Sequence, residues 1–313
     1  MFQHITYEFL IYNLKRLTAH VAFDKLRMVR AMPESLPQQG VTEMFRTTFT
    51  VAAVALGGFV VSAPTAKADV MEEIQERGRI VVGIRADYRP YGFLGPDGDN
   101  IGIEPTLARD VAERLGVEYE FVPVIASNRM EFLQQGRIDL MIATMTDTEE
   151  RRRVVNIVEP SYYSSGTNLL ARKDVGINDW SDLAGRPICA IQGAFYNRKT
   201  QEEFGAELVA FTGTAEVLTA LQQGRCQAFV YDDSFIQARL QEEEWADYEM
   251  PVETIDDAPW GLAVAHGEDN FYAFMSEVIE DWHRTGKIIE LEEEFGVDPI
   301  PFTRRMHEQY SAD

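Results

Sequence analysis

The sequence has little positive charge and very little cysteine. Its 313 residues include 29 Lys and Arg against 51 Asp and Glu, so the formal net charge is −22. Nucleic acids and anionic membrane surfaces bind proteins through basic faces, so we expect neither as a partner. The two cysteines lack CxxC spacing and are too few for a disulfide-rich scaffold or a zinc ribbon.

Long apolar runs and common catalytic motifs are also missing. No apolar run reaches the roughly 18 residues that a membrane-spanning helix requires. The chain has no GxSxG, HExxH, P-loop or GxGxxG motif, and its histidines lack metal-ligand spacing. We therefore expect no catalytic residues, no metal and no cofactor. Apolar residues at 45% and charged residues at 26% indicate a globular protein. The acidic run 292–294 is interpreted as a solvated helix face.

An export signal is indicated near the N-terminus. The longest apolar run, 49–61, follows Met44 and Arg46 and precedes an AKA tripeptide that ends at Ala68. This order predicts a signal peptide at 44–68, cleaved after Ala68, and hence a periplasmic protein; a buried helix is the alternative. Residues 1–43 are interpreted as a mis-assigned extension, because Met44 is a natural start, or else as a genuine cytoplasmic extension.

The rest of the chain alternates strands and helices. The β-branched run 79–84 predicts a strand, and the apolar spacing in 103–115 predicts a helix. Pro105 suits the first turn of that helix, and Gly116 suits its end. Further elements follow in the order strand, helix, strand at 119–124, 129–135 and 138–143. This order predicts an α/β fold with a parallel or mixed sheet.

One segment of the chain is repeated, with changes, later in the sequence. LQQGRIDLMIAT at 133–144 is followed by LQQGRCQAFVYD at 221–232, each the end of a helix, a glycine and a strand. We infer two similar α/β lobes, with chance similarity of such units as the alternative. Ligands bind beyond the carboxyl ends of strands in open α/β sheets. Thr144 and Thr146 would then face Asp232 across a cleft, which suits a small molecule with an acceptor and a cationic group.

Short motifs that are typical of one protein family occur between residues 79 and 296, in the order in which that family has them. They are IVVG at 80–83, DYRPY at 87–91, NR at 128–129, GRID at 136–139, TMTDTEER at 144–151, EPSYY at 159–163, DLAG at 182–185, VYDD at 230–233 and WGLAV at 260–264. In this combination the sequence resembles the family 3 solute-binding proteins of polar amino-acid ABC transporters, which have the type II periplasmic-binding fold.

The resemblance implies a fold of two Rossmann-like lobes joined by a hinge around an interlobe cleft. Lobe 1 would comprise 69–162 plus 266–313, and 163–265 would comprise the hinge segments and lobe 2, with its core at 167–258. The family's function would be capture of a polar L-amino acid by a monomer and its delivery to an ABC transporter permease. The alternative is an enzyme on the same fold, such as a cyclohexadienyl dehydratase, because fold does not fix function.

The resemblance also implies roles for individual residues. Arg151 would grip the ligand's α-carboxylate, since a guanidinium pairs with a carboxylate through two parallel hydrogen bonds. Thr146 would donate a hydroxyl to the same group, with Thr144 on the same rim. Asp232 would receive the α-ammonium group, and Tyr88 would form an aromatic wall against the ligand side chain. The alternative for Arg151 is an ordinary surface arginine, and the alternative for Tyr88 is a core tyrosine without contact to a ligand.

The loop at 192–198 departs from the family pattern, because it lacks the usual hydroxyl residue. Backbone N–H groups near Gly193 could still bind a carboxylate, while Phe195 and Arg198 bring different chemistry. In the family, an arginine at the place of Arg129 contacts a side-chain carboxylate of the ligand; pairing with a surface acid is the alternative. With Arg198 as a second cation, the resemblance favours glutamate, aspartate or glutamine over lysine and arginine.

The two cysteines are predicted to form a disulfide. Cys189 and Cys226 each lie at the start of a predicted strand of lobe 2. Export would place both in an oxidising compartment, where disulfides persist. The alternative is a pair of buried apolar thiols.

Overall fold

The structure, a computed structural model, describes residues 69–312. The predicted extension 1–43 and the predicted signal peptide 44–68 lie outside the described residues. No helix within residues 69–312 combines the length and apolar composition needed to cross a membrane.

The first part of the described chain forms lobe 1, whose strands build one sheet and a small separate one. Its elements are α1 Val70–Arg77, β1 Arg79–Ile84, β2 Asp87–Tyr88, β3 Gly92–Leu94, β4 Asn100–Ile101, α2 Ile103–Leu115, β5 Glu118–Pro123, α3 Arg129–Gln134, β6 Leu140–Ile142, α4 Glu149–Arg152 and β7 Asn156–Ile157. The predicted helix at 103–115 is confirmed, and Gly116 ends it in the left-handed conformation at φ 68°.

The next part forms lobe 2 around a second sheet, and the chain then returns to lobe 1. The elements of lobe 2 are β8 Tyr163–Arg172, a 3-10 turn at Trp180–Leu183, β9 Pro187–Ile191, α5 Asn197–Glu202, β10 Glu207–Phe211, α6 Thr214–Gln222, β11 Ala228–Asp232, α7 Asp233–Leu240, a 3-10 turn at Glu243–Trp245, β12 Tyr248–Glu249 and β13 Ile255–Trp260. The returning elements are β14 Ala263–Val264, α8 Asp269–Thr285, α9 Lys287–Glu294 and α10 Pro301–Ser311.

The two sheets share one topology. The strand order is β5-β1-β6-β14-β7 in lobe 1 and β10-β9-β11-β8-β12 in lobe 2, with β13 also paired to β8. In each sheet a central strand runs parallel to both neighbours, β1 to β5 and β6, and β9 to β10 and β11. The echoed segments end in β6 and β11, which occupy equivalent places. The predicted pair of similar α/β lobes is thereby confirmed.

Two chain crossings lie side by side between the lobes. β8 leaves lobe 1 at Tyr163, and β13 returns at Trp260, which pairs antiparallel with Tyr163. The rings of Tyr91, Tyr163 and Trp260 pack together, with ring centroids 4.9 to 5.3 Å apart. The hinge region is therefore built on a buried aromatic cluster.

Glu292 contradicts the interpretation of 292–294 as a solvated face. It is 0% exposed, because α9 turns this one residue of the run towards the hinge. Its carboxylate accepts hydrogen bonds from the Tyr163 hydroxyl at 2.8 Å and the Thr303 hydroxyl at 2.8 Å. Burial raises the pKa of Glu292 from 4.5 to about 7, although these hydrogen bonds oppose the shift.

The Glu292→Gln variant is expected to change how stability depends on pH. Because the folded-state pKa lies above the unfolded one, wild type loses stability as pH rises from about 4.5 to 7. Glutamine keeps an acceptor and does not titrate, so the variant should gain about 1–3 kcal/mol relative to wild type over that interval. Urea denaturation at both pH values measures this. The exposed neighbour Glu293, replaced by Gln, is the control, and equal pH slopes in both variants would contradict the assignment.

Candidate functional site

The carboxyl ends of the parallel strands of both lobes meet at one place. Arg85 follows β1, Thr144 follows β6, and Asp232 ends β11. Between them lies a small cavity of about 20 Å³. Its lining consists of Arg85, Ala126, Arg129, Thr144, Thr146, Arg151, Ala194, Phe195, Tyr196, Tyr231 and Asp232. Six residues singled out in the sequence therefore come together here: Arg129, Thr144, Thr146, Arg151, Phe195 and Asp232.

Three other predicted site residues lie outside this lining. Tyr88 is fully buried one layer behind it, where its hydroxyl donates to the Asp232 carboxylate. Gly193 and Arg198 lie instead in an outer groove of about 860 Å³. This groove shares Arg151 and Phe195 with the cavity. Arg198 is exposed there because α5 begins at Asn197 and turns it outward, so it does not add a second cation inside the cavity.

Arg151 joins the two lobes through its guanidinium. Its backbone position is fixed at the start of α4, where the Thr148 hydroxyl accepts from the Arg151 N–H at 3.2 Å. Nη1 donates to the carbonyl of Thr146 at 2.8 Å, and Nη2 donates to the carbonyl of Gly193 in lobe 2 at 3.0 Å. Gly193 thus presents a carbonyl oxygen to this arginine.

Gly193 allows the loop of lobe 2 to approach lobe 1 closely. Its φ is +81°, in the left-handed region, and a Cβ atom here would lie 3.0 Å from the carbonyl oxygen of Ala126. Any side chain would therefore be strained and crowded. The close approach brings Phe195 over the cavity.

Thr144 has an uncommon backbone conformation that a buried acid supports. Its φ is +47°, which is rare for a β-branched residue. Its N–H donates at 2.6 Å to Glu104, which is 0% exposed and also accepts from the Tyr162 hydroxyl. Burial raises the pKa of Glu104 above its ordinary value, against the effect of these hydrogen bonds. Sequence reasoning missed Glu104, because this contact spans two distant segments.

Asp232 is the carboxylate of the cavity lining. Burial raises its pKa to about 7, against the effect of the hydrogen bond from Tyr88. A buried carboxylate of this kind is stabilised in its ionised form by a neighbouring cation. An ammonium group placed in the cavity would supply that cation.

Arg129 is buried within the cavity wall. The alternative considered from the sequence, that it pairs with an acid on the surface, is therefore wrong. Nη1 donates to the carbonyl oxygens of Ala143 and, at 3.0 Å, Thr144. Its Nε has no hydrogen-bond partner in the part of the chain that the structure describes. Burial, together with the like charges of Arg151 and Arg85, lowers the pKa of Arg129 to about 9.

Arg85 is the functional candidate that sequence reasoning missed. Its side chain is 1% exposed and ion-paired to Asp87 at 2.7 Å, and its Nη1 lies 3.5 Å from the Tyr231 hydroxyl. Its position just after β1 was the available signal, since the same criterion selected Thr144 and Asp232. Three guanidinium groups now converge on the cavity, so the site favours a ligand with anionic groups. Within residues 69–312, no cluster of His, Cys, Asp and Glu is placed to hold a metal ion.

The predicted disulfide is present. Cys189 in β9 and Cys226 just before β11 are bonded, with their Cα atoms 5.5 Å apart. The bridge joins the amino-terminal side of β11 to its parallel neighbour, whereas Asp232 lies at the other end of β11.

Comparison with known proteins gives matches over most of the chain. Residues 80–298 match the family model described as bacterial extracellular solute-binding proteins, family 3. A glutamine-binding protein of Geobacillus stearothermophilus is 30% identical and covers 66% of this chain and 80% of its own. The ABC transporter glutamine-binding protein of Bacillus subtilis is 29% identical, covering 72% and 84%. The L-glutamate/L-aspartate-binding protein of Pseudomonas aeruginosa is 24% identical, covering 80% and 89%.

Solved structures with the same fold also match most of the chain. A mutant of the protein ArgBP from T. maritima is 27% identical, with a TM-score of 0.68, and covers 72% of this chain and 98% of its own. The ancestral amino acid-binding protein AncCDT-1, a precursor of cyclohexadienyl dehydratase, is 26% identical, with a TM-score of 0.65, covering 73% and 99%.

Proposed function

This chain belongs to the bacterial extracellular solute-binding proteins of family 3, and from this we propose that it captures an acidic or amide L-amino acid between its lobes and delivers it to an ABC transporter permease. Glutamate, aspartate and glutamine are the favoured ligands. The observation that carries this proposal is the convergence of three buried guanidinium groups and one carboxylate on the interlobe cavity.

The α-amino acid group would be held by a clamp of opposite charges. Arg151 offers N–H donors for the α-carboxylate, and the Thr146 hydroxyl lies beside it in the cavity lining. Asp232 accepts the α-ammonium group from lobe 2. Because the two halves of the clamp come from different lobes, binding favours closure of the cleft around the ligand.

The side chain of the ligand would be selected by charge. Arg129 and Arg85 both line the cavity, and Arg129 is without an ion pair in the described chain. A carboxylate or amide oxygen would accept hydrogen bonds here, whereas a lysine or arginine side chain would meet like charge in a desolvated site. Two glutamine-binding relatives and one glutamate/aspartate-binding relative support this ranking by name, but other relatives are named for L-arginine and L-cystine, so the ranking rests on the charges of the cavity.

An enzyme on the same fold is the second candidate, favoured by one observation. The Asp232 carboxyl, with its pKa raised to about 7, has the proton affinity of a general acid. The similarity to a precursor of cyclohexadienyl dehydratase points the same way. In the binding-protein proposal the ligand's ammonium group keeps Asp232 ionised, so the two candidates differ in the protonation state of this residue.

The proposal extends to export and assembly. The family is described as extracellular, and the sequence at 44–68 has the features of a signal peptide cleaved after Ala68. We therefore assign the mature protein to the periplasm, acting there as a monomer that presents its ligand to the permease.

A thermal-shift screen of the twenty amino acids plus prephenate tests the function. A ligand at about 100 times its Kd stabilises the fold by about 2.7 kcal/mol, or roughly 5–10 °C in Tm. L-glutamate, L-aspartate or L-glutamine should give this rise. Arg151→Ala should abolish it, and Arg153→Ala, an exposed neighbour paired with Glu149, should not. No rise with any amino acid, or turnover of prephenate, would contradict the proposal.

A further inference from the structure

Helix α6 of lobe 2 is capped by a residue of lobe 1. Its N-cap residue is Gly213, which has no side chain to accept from the first-turn N–H groups. Asp87 takes that place. The Thr214 N–H donates to Asp87 Oδ2 at 3.0 Å, and the Thr214 hydroxyl lies 2.5 Å from the Asp87 carbonyl oxygen. The cap of α6 is therefore complete when the lobes are in contact.

The same carboxylate also holds a cation of the cavity. Asp87 Oδ1 accepts from Arg85 Nε at 3.1 Å and from Arg85 Nη2 at 2.7 Å. Burial opposes the ionisation of Asp87, but Arg85 and the Thr214 N–H outweigh it, so the pKa of Asp87 lies below its ordinary value. One ionised carboxylate thus orients Arg85 with one oxygen and caps α6 with the other.

We propose that Asp87 is a positioning residue for ligand retention, which orients Arg85 in the cavity and forms an interlobe clasp with Thr214 on closure. This inference rests on the proposed function, because it concerns the retention of the same ligand. Neither member of the clasp, defined as Asp87 with Thr214, is among the residues that line the cavity. A ligand enters before the lobes meet, so the clasp leaves the association rate unchanged and slows dissociation.

Thr214→Pro is the decisive variant. Proline at the first helical position lacks both donors to Asp87 and still fits a helix start, and its ring takes the place of the N–H, so the Asp87 carboxylate is also excluded from the cap. The preceding Gly213 has φ −133° and ψ 160°, which is the conformation that a following proline requires. Stopped-flow fluorescence with L-glutamate should show a dissociation rate and a Kd raised about tenfold, as expected for loss of a helix cap. The association rate should stay unchanged, and Thr214→Ser, which keeps both donors, should behave as wild type.

Thr212→Ala is the matched control. The Thr212 hydroxyl donates to Glu216 Oε2 at 2.9 Å, a contact at the same helix end but within lobe 2. This variant should leave the dissociation rate unchanged. Equal dissociation rates in wild type and Thr214→Pro, or an equal rise in Thr212→Ala, would overturn the clasp.

Small-angle scattering separates this inference from the proposed function. With saturating L-glutamate, Thr214→Pro should have a larger radius of gyration than wild type. A wild type that binds no amino acid contradicts the proposed function and, with it, the retention of a ligand by the clasp. A wild type that binds L-glutamate but at saturation is no more compact than Thr214→Pro overturns the clasp alone.

Discussion

Replacement of Arg129 by Met is expected to weaken L-glutamate binding by about 2–5 kcal/mol, with a smaller loss for L-glutamine. Arg129 is 3% exposed, and its guanidinium donates to backbone carbonyl oxygens of Ala143 and Thr144. Its pKa of about 9 reflects burial beside Arg151 and Arg85, so an anionic ligand group would relieve this repulsion. Without Arg129, a glutamate carboxylate would be buried with fewer donors, whereas a neutral amide is less costly to leave unpaired.

Two controls separate charge from structure in this experiment. Arg129→Lys keeps the positive charge and should retain part of the preference for glutamate. Without ligand, Arg129→Met should stay within about 2 kcal/mol of the wild-type stability, since it removes a buried charge that has no direct ion pair in the described chain but also the donor to two backbone carbonyl oxygens. Calorimetry with both amino acids measures the affinities. Equal losses for glutamate and glutamine would mean that Arg129 acts through the backbone of Thr144, and tight lysine binding by wild type would contradict the ranking of ligands.

The places of Thr144 and Asp232 could be predicted from the sequence, because ligand-binding residues lie at the carboxyl ends of strands in this kind of sheet. The echo of 133–144 in 221–232 places Thr144 and Asp232 at equivalent positions, and the structure has both in the cavity lining. The same rule, applied to the strand 79–84, selects Arg85. Arg85 lies between the motifs at 80–83 and 87–91, so the family resemblance does not point to it.

Other features depend on contacts that no local pattern contains. Glu104 supports the left-handed backbone of Thr144 across 40 residues of sequence. Glu292 is buried because it lies on the side of α9 that faces the hinge, whereas its neighbours Glu293 and Glu294 lie on the exposed side. Arg198 lies in the outer groove because α5 begins at Asn197, which sets the direction of the next side chain. The first residue of a helix is hard to predict from sequence within one residue.

Removal of the Cys189–Cys226 disulfide, by the double replacement Cys189→Ala and Cys226→Ala, is expected to lower the free energy of unfolding by about 3–4 kcal/mol. The bonded cysteines are 37 residues apart, and the enclosed segment contains α5, β10 and α6. In the chain-entropy account, an unfolded chain freed of this closed loop gains many conformations, which stabilises the unfolded state. Both thiols are replaced so that no reactive cysteine remains.

The same change should leave ligand affinity within a few fold of wild type. Cys226 precedes β11, whereas Asp232 is the last residue of that strand, so the bridge and the cavity lie towards opposite ends of the sheet of lobe 2. Urea denaturation and calorimetry on the same preparations measure the two effects. Wild type in reductant should match the double variant in both, because either treatment removes the same loop constraint. A large loss of affinity in the double variant would instead mean that the bridge positions the loop 192–198, which carries Gly193 and Phe195 to the cleft.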